Sequence, residues 1–275
     1  MGLVIKNNLM AMGALRHLGG TYTQLSESIN ALSSGLRINS ADDDAAGLAV
    51  REQMRVEIAA LGQGIRNGND AINMLQTFDG AAAVIDEKLL RMKELAMQAS
   101  TGTYNDTQRS IMQDEFNQMR TELDRVARAT QFNGIQGLNS ASNSIKIHFG
   151  PGNSSVADYY RIQAQDMTAS ALGLSSLTIG NQHSAQAALT VVENAVTTKD
   201  TSRAHFGAMI NRLHSTISNL EIQRENIQAS ESQISDADVA WEMAQLSRNQ
   251  VLAQAGVSML SQANQMPMMI AKLLG

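Results

Sequence analysis

A chain of 275 residues with 43% hydrophobic and 17% charged content can bury one sizeable core or two small ones, which excludes disorder throughout. Cysteine is absent, so disulfides, thiolate metal sites and cysteine nucleophiles are excluded. A formal charge of -5 with no lysine- or arginine-rich run argues against a nucleic-acid partner, which needs a concentrated basic face to displace phosphate counterions. Only 4% of residues are aromatic and two are proline, and the excess of Ala, Gln, Leu and Met favours helices. The opening Met1-Gly2-Leu3-Val4-Ile5-Lys6-Asn7-Asn8-Leu9 lacks the regions of a secretory signal, and no apolar stretch is long enough to span a bilayer.

Leu15, Leu18, Tyr22, Leu25, Ile29, Leu32 and Leu36 recur at alternating gaps of three and four, which predicts a first helix with one apolar stripe of coiled-coil type. Ser40 followed by Asp43 resembles a capping box, and the acids Asp42, Asp43 and Asp44 suit a helix's first turn. The helix predicted from there keeps Met54, Ile58, Leu61, Ile65, Ile72, Leu75, Phe78, Ala82, Ile85, Leu89, Met92 and Ala96 in one register as far as Ser100-Thr101-Gly102. At 1.5 Å per residue it would be roughly 90 Å long, the dimension of a rod. Gly62, Gly64, Gly68 and Gly80 each cost about 1 kcal/mol in its interior and open the prospect of kinks.

A shorter helix is predicted from Asn105, with Gln108 completing its cap and Met112, Phe116, Met119, Leu123 and Val126 as its stripe, ending before Phe132-Asn133-Gly134. The period then changes to two. Ile145, Ile147 and Phe149 alternate with polar residues, as do Tyr160 and Ile162, and Gly150-Pro151-Gly152-Asn153 supplies a turn, so one hairpin at about 144-164 is expected. After Gly180-Asn181 the helical pattern returns, with stripes Phe206, Met209, Leu213, Ile217, Leu220, Ile227 and then Met243, Leu246, Ala253, Val257, Leu260. The expected fold is mainly α: a long-helix coiled-coil rod formed by pairing of N- and C-terminal segments, with one small hairpin.

No catalytic constellation is found. The histidines His17, His148, His183, His205 and His214 form no i, i+4 pair, and Asp42-Asp43-Asp44 lacks the alternating ligands of a calcium loop. Gly150-Pro151-Gly152-Asn153 lacks the Gly-Lys-Ser/Thr ending of a phosphate loop. Neither enzyme activity, cofactor nor metal is expected.

The segment Leu32-Ser33-Ser34-Gly35-Leu36-Arg37-Ile38-Asn39-Ser40-Ala41-Asp42-Asp43-Asp44-Ala45-Ala46-Gly47 resembles the N-terminal signature of bacterial flagellins, with Asp42 where a lysine is usual. Arg91-Met92-Lys93-Glu94-Leu95-Ala96-Met97-Gln98, Gln131-Phe132-Asn133-Gly134, Asp236-Ala237-Asp238-Val239-Ala240 and the run Ala255 to Pro267 follow in the family's order. Trp241 departs from the acidic or small polar residue usual there. The resemblance covers roughly residues 1-177 and 190-275. It implies an inner-tube domain, D0, from helices 1-40 and 235-275, and an outer-tube domain, D1, from 41-177 with its hairpin and 190-234. A short connection at 178-189 would replace the variable outer domains.

The resemblance further implies a structural subunit that polymerises with itself into the hollow flagellar filament outside the cell, for swimming motility. Leu15, Leu18, Tyr22, Leu25, Ile29, Leu32, Leu36, Met243, Leu246, Val257, Leu260 and Leu273 are its expected assembly residues. Physical argument points the same way: one helix pair with half its surface wet is marginal alone, and neighbours in a non-closing arrangement would bury what remains. Implied partners are the hook-filament junction and cap proteins, the flagellar type III export apparatus and an export chaperone at the C-terminal helices. Arg91, Leu95, Gln98 and Glu115 match the surface seen by the vertebrate Toll-like receptor for flagellin, a face whose first role would be contact between protofilaments. Ser100, Thr101, Thr103, Ser140, Ser142 and Ser154 are the loop candidates for glycosylation. The alternatives are a hook-filament junction protein and, from another class, a soluble coiled-coil adaptor. Neither nucleic-acid binding nor membrane insertion is expected.

Overall fold

The computed structural model describes residues 8–140 and 143–274, with side chains as far as 266 and that of Met268. In chain order the elements are helices α1 (Leu9–Ser34), α2 (Ala45–Ser100) and α3 (Asp106–Ala129), then strands β1 (Gln131–Phe132), β2 (Ile135–Gln136), β3 (Ser144–His148) and β4 (Tyr159–Gln163). Helices α4 (Gln182–Ser235) and α5 (Val239–Leu274) complete the chain. They compose two compact units, one of Met1–Val56 with Glu225–Gly275 and the other of Glu57–Arg224. The mainly helical class expected from the sequence is the one found.

The unit of residues 57–224 has a dry core. Leu61, Leu75, Phe78, Ala82, Ile85, Leu89, Met92 and Ala96 of the predicted α2 stripe are all buried, and Phe116 and Leu123 of α3 and Phe206 and Leu213 of α4 are buried as fully. Phe78 and Phe206 lie with ring centroids 6.3 Å apart. The expected cap of α3 is present: Asn105 Oδ1 accepts the Gln108 amide at 2.8 Å while Gln108 Oε1 accepts the Asn105 amide at 3.0 Å. The four glycines inside α2 do not interrupt it, because packing along the helix outweighs a propensity cost of about 1 kcal/mol each. Gly64 is there for space. A Cβ built on it would lie 1.9 Å from the Phe149 carbonyl oxygen, so only glycine lets the β3–β4 hairpin sit this close to α2.

That hairpin pairs Ile145 with Ile162 and Ile147 with Tyr160, as the alternation predicts. Two features differ from expectation. The single hairpin is joined by a second, because β1 and β2 pair across Asn133 and Gly134, both at positive φ, the conformation that a two-residue Asn-Gly turn supplies. Residues 164–181 are a packed strap. Met167, Leu174 and Ile179 are fully buried, the Ala169 amide donates to Asp124 Oδ1 at 2.7 Å, and Arg120 Nη1 donates to the Ser175 carbonyl at 2.9 Å. Helix α4 starts at Gln182 because Asn181 caps it, its Oδ1 accepting the Ser184 amide at 2.8 Å; most of the predicted 178–189 connection is therefore helical.

Charged groups close this unit. Lys199 is almost fully buried and donates to Asp86 and Asp200. Burial pushes its ammonium pKa down, but the bonds to the two carboxylates outweigh that and hold it above the ordinary lysine value.

In the other unit α1 and α5 run antiparallel. Asn8 Nδ2 donates to the Ala263 carbonyl at 2.9 Å, Leu18 packs where a Cβ on Gly256 would fall, and the Arg37 amide donates to the Ser235 carbonyl at 2.7 Å. Gly35 ends α1 in the left-handed conformation at φ 73°, donating its amide to Ala31 and accepting the Ala237 amide at 3.0 Å. The start of α2 also differs from the prediction. Ser40 and Asp43 form a turn in which Asp43 Oδ2 accepts the Asn39 and Ser40 amides, and those bonds hold its carboxyl below the ordinary aspartate value. Asp44 is the cap, its carboxylate accepting the Gly47 amide at 2.8 Å and its carbonyl the Leu48 amide at 2.9 Å.

Candidate functional site

The face of α1 that meets α5 interleaves small side chains with leucines. Ala11, Ser28 and Ala31 are buried, and Ala14, Leu18, Thr21, Leu25 and Leu32 are half-buried between them. The facing row of α5 is Glu242, Leu246, Asn249, Ala253, Gly256, Leu260 and Ala263, an unbroken heptad spacing. Small residues let two backbones approach, which is why Leu18 and Gly256 come together. They also bury little apolar area, since each buried methylene contributes only about 0.8 kcal/mol.

The predicted α1 stripe straddles this seam. Leu18, Leu25, Leu32 and Leu36 are half-buried, whereas Leu15, Tyr22 and Ile29, one heptad apart from each other, are 55%, 51% and 50% exposed. On α5 Leu246 and Leu260 are half-buried, and Met243 and Val257 are 47% and 49% exposed alongside Leu252 and Met259. Half of each stripe thus holds the pair together and half faces outward. Of the remaining expected assembly residues, Leu273 falls outside the described side chains, as does the apolar run Val4 and Ile5 at the other end of the sequence.

The second predicted surface lies on α2 and α3 of the other unit. Arg91 Nε donates to Glu115 Oε1 at 2.7 Å and its Nη1 donates to Glu94 Oε2 at 2.9 Å, bonds that raise the guanidinium pKa further. Gln98 Nε2 donates to the Tyr104 hydroxyl at 3.0 Å. Leu95 is a correction to the expected patch: at 1% exposure it faces the core, because its place in the three-and-four spacing follows Leu89 and Met92 inward. The exposed part of the patch is Arg91 and Gln98, with Glu115 half-buried beside them.

Among the glycosylation candidates Thr101, Thr103 and Ser154 are exposed. Ser100 is half-buried and donates its hydroxyl to the Met97 carbonyl, Ser140 is half-buried, and Ser142 lies outside the described residues. Among the described residues no group of three His, Cys, Asp or Glu side chains is placed to hold a metal. No helix among them is long and apolar enough to cross a membrane.

A helical unit carrying outward apolar heptads at both chain ends is matched by one family over most of this length. The bacterial flagellin N-terminal helical region matches residues 5–143, and the bacterial flagellin C-terminal helical region matches residues 189–274. The chain belongs to the bacterial flagellin family. The flagellin of Halalkalibacterium halodurans is 38% identical over 272 residues, covering 99% of this chain and 100% of that one. The flagellar filament 33 kDa core protein of Treponema phagedenis is 36% identical over 288 residues, with 99% and 100% covered. The crystal structure of Bacillus cereus flagellin superimposes with a TM-score of 0.51 at 31% identity, over 56% of this chain and 88% of that one. Family membership makes this chain a structural subunit of the extracellular flagellar filament, and the junction-protein alternative is not favoured.

Sequence reasoning missed two buried polar groups at the seam, Glu242 and Asn249. The signal was present: both fall on the heptad that Leu246, Ala253 and Leu260 define. They were passed over because Glu and Asn are read as solvated by default.

Proposed function

We propose that subunits stack head to tail through the outward faces of α1 and α5, the terminal pair forming the inner tube (D0) and the unit built from α2, α3, the hairpins and α4 forming the outer tube (D1). The observation that carries this reading is the exposed heptad Leu15, Tyr22 and Ile29 beside a seam of small residues. Such a pair is too thinly packed to keep these residues wet without cost, and a heterologous contact that does not close builds a helical polymer. The subunit leaves the cell unfolded through the flagellar type III channel, with its C-terminal helices held by an export chaperone, and it meets the junction and cap proteins at the filament's two ends. Arg91, Gln98 and Glu115 lie between protofilaments, and on released monomer they form the face open to the Toll-like receptor. Leu95 positions that face from beneath. Thr101, Thr103 and Ser154 are the glycan acceptors best placed for it.

The test is seeded polymerisation of the full-length chain, followed by electron microscopy and pelleting. Long hollow filaments are expected, and deletion of residues 1–39 or 241–275 should leave folded protein that no longer pellets. Discrete oligomers from the full chain even with seeds would overturn the reading and favour the soluble adaptor.

A further inference from the structure

Charge is segregated along the terminal unit. Residues 27–44 and 225–242, which meet around the Leu36–Asp236 bridge, hold nine carboxylates and one cation, Arg37. Residues 1–26 and 243–275 hold Lys6, Arg16, Arg248 and Lys272 and no Asp or Glu side chain. One part of the unit is thus acidic and the other basic, the polarity that favours head-to-tail contact between identical copies.

The acidic part contains a cleft of about 860 Å³ between α1 and the start of α5. Two of its lining side chains are more than nine-tenths buried, Glu242 at 8% exposure and Asn249 at 4%, and neither has a hydrogen-bond or ion-pair partner among the described residues. The Glu242 and Asn249 polar atoms are not among the sealed unpartnered ones of the described residues, so they open to the cleft, and a carboxylate with so little water around it and no partner in its own copy favours a cation there. Glu27, Asp42 and Asp43 line the same cleft, and the 57% exposed Trp241 offers it an aromatic face. Arg37 is its sole lining cation and is already committed, donating from Nε and Nη2 to the Ile234 carbonyl at 3.2 and 2.6 Å.

We propose that this cleft is a socket for an arginine of a second copy, Arg16 of the adjoining subunit, seated against Glu242 and Asn249 with its plane over Trp241. A guanidinium suits this lining better than an ammonium, since it presents several donors in one plane to carboxylate and amide oxygens and stacks on an indole. Arg16 is exposed, has no ion-pair partner among the described residues, and lies on the carboxylate-free part of α1. Arg248 is only six residues from Glu242 on the same helix, so it accompanies the cleft and is not presented to it from the far end. The proposal rests on the filament reading and adds to it the contact that sets the register between copies.

The experiment is the critical concentration for seeded elongation of full-length protein, wild type against Glu242→Gln, Glu242→Arg, Arg16→Glu and the reciprocal pair of Glu242→Arg with Arg16→Glu. Thermal melts of the monomers are run beside it. Glu242→Gln and Arg16→Glu should each raise the critical concentration about tenfold, and the reciprocal pair should recover at least tenfold over Glu242→Arg alone. Because Glu242 has no partner within its own copy, the Glu242→Gln monomer should melt no lower than wild type. Wild type that assembles while Glu242→Gln keeps its critical concentration would overturn the socket and spare the filament reading, as would a reciprocal pair without recovery. A Glu242→Gln monomer that melts lower would reassign Glu242 to a role within the subunit and overturn the socket. Wild type that fails to elongate from seeds would overturn both.

Discussion

Of the twelve largest fully buried side chains, eleven belong to residues 57–224 and only Ile38 to the terminal unit, whereas sixteen of the twenty-three exposed large apolar side chains among the described residues belong to the terminal unit. The first unit carries its own core of phenylalanine, leucine and isoleucine. The second pairs α1 with α5 through small side chains interleaved with half-buried leucines and leaves most of its large apolar groups outside. Ordering a residue costs about 1 to 2 kcal/mol, and a small side chain recovers little of that on burial. A subunit built this way can fold by one unit and reserve the other's stability for its neighbours.

The sharpest way to break this contrast is to damage the unit that is self-sufficient. Phe206→Ala should destabilise the monomer by about 3–5 kcal/mol, read as a lowered denaturant midpoint, because the ring is fully buried against Phe78. Gly64→Ala should cost about 1–3 kcal/mol in the same measurement, since the new methyl meets a backbone oxygen that can yield only by moving the hairpin.

Lys199→Met should cost about 1–3 kcal/mol near neutral pH by stranding the bonds to Asp86 and Asp200. Its pH dependence has a definite sign. A lysine raised in the folded state contributes fully below its unfolded pKa of about 10.4 and loses that contribution as pH rises through the folded value, so on the alkaline side the gap between wild type and variant should close in strongly alkaline solution. A gap that stayed open through strongly alkaline solution would refute the assignment.

The smallest effect on the monomer should come from the other unit. Tyr22→Ala, at a half-exposed position, should change monomer stability by less than about 0.5 kcal/mol. The same change should raise the critical concentration for polymerisation about tenfold, which corresponds to roughly 1.4 kcal/mol. Equal losses in both assays would mean that Tyr22 packs within its own subunit.

Much of the self-sufficient unit was legible from periodicity. The α2 stripe from Leu61 to Ala96, the Asn105–Gln108 cap and the Ile145–Ile162 pairing were all readable, because large apolar side chains and capping residues announce burial and helix ends locally. What escaped was set by contacts distant in sequence. The strap at 164–181 has no period, since its amides and carbonyls are satisfied one by one by Asp124, Arg120 and Gln113. The second hairpin hid in two-residue strands, although Asn133-Gly134 was a sufficient turn signal.

In the terminal unit the large residues pointed to the helix but not to its inner face. Leu15, Tyr22 and Ile29 looked like the seam because they are apolar, while the seam itself is written in Ala11, Thr21, Ser28 and Gly256, residues whose value lies in being small. Leu95 was misjudged in the opposite direction, placed at a surface by its motif and buried by its register.

Amide hydrogen exchange, compared residue by residue between monomer and assembled filament, tests the central claim most directly. The account predicts that α1 and α5 exchange rapidly in the monomer and become protected in the filament, while the buried stretches of α2, α3 and α4 around Leu75, Phe116 and Phe206 are protected in both. Equal protection of α1 and α5 in the two states would mean that the terminal pair is stable by itself, and the division of labour between the units would be wrong.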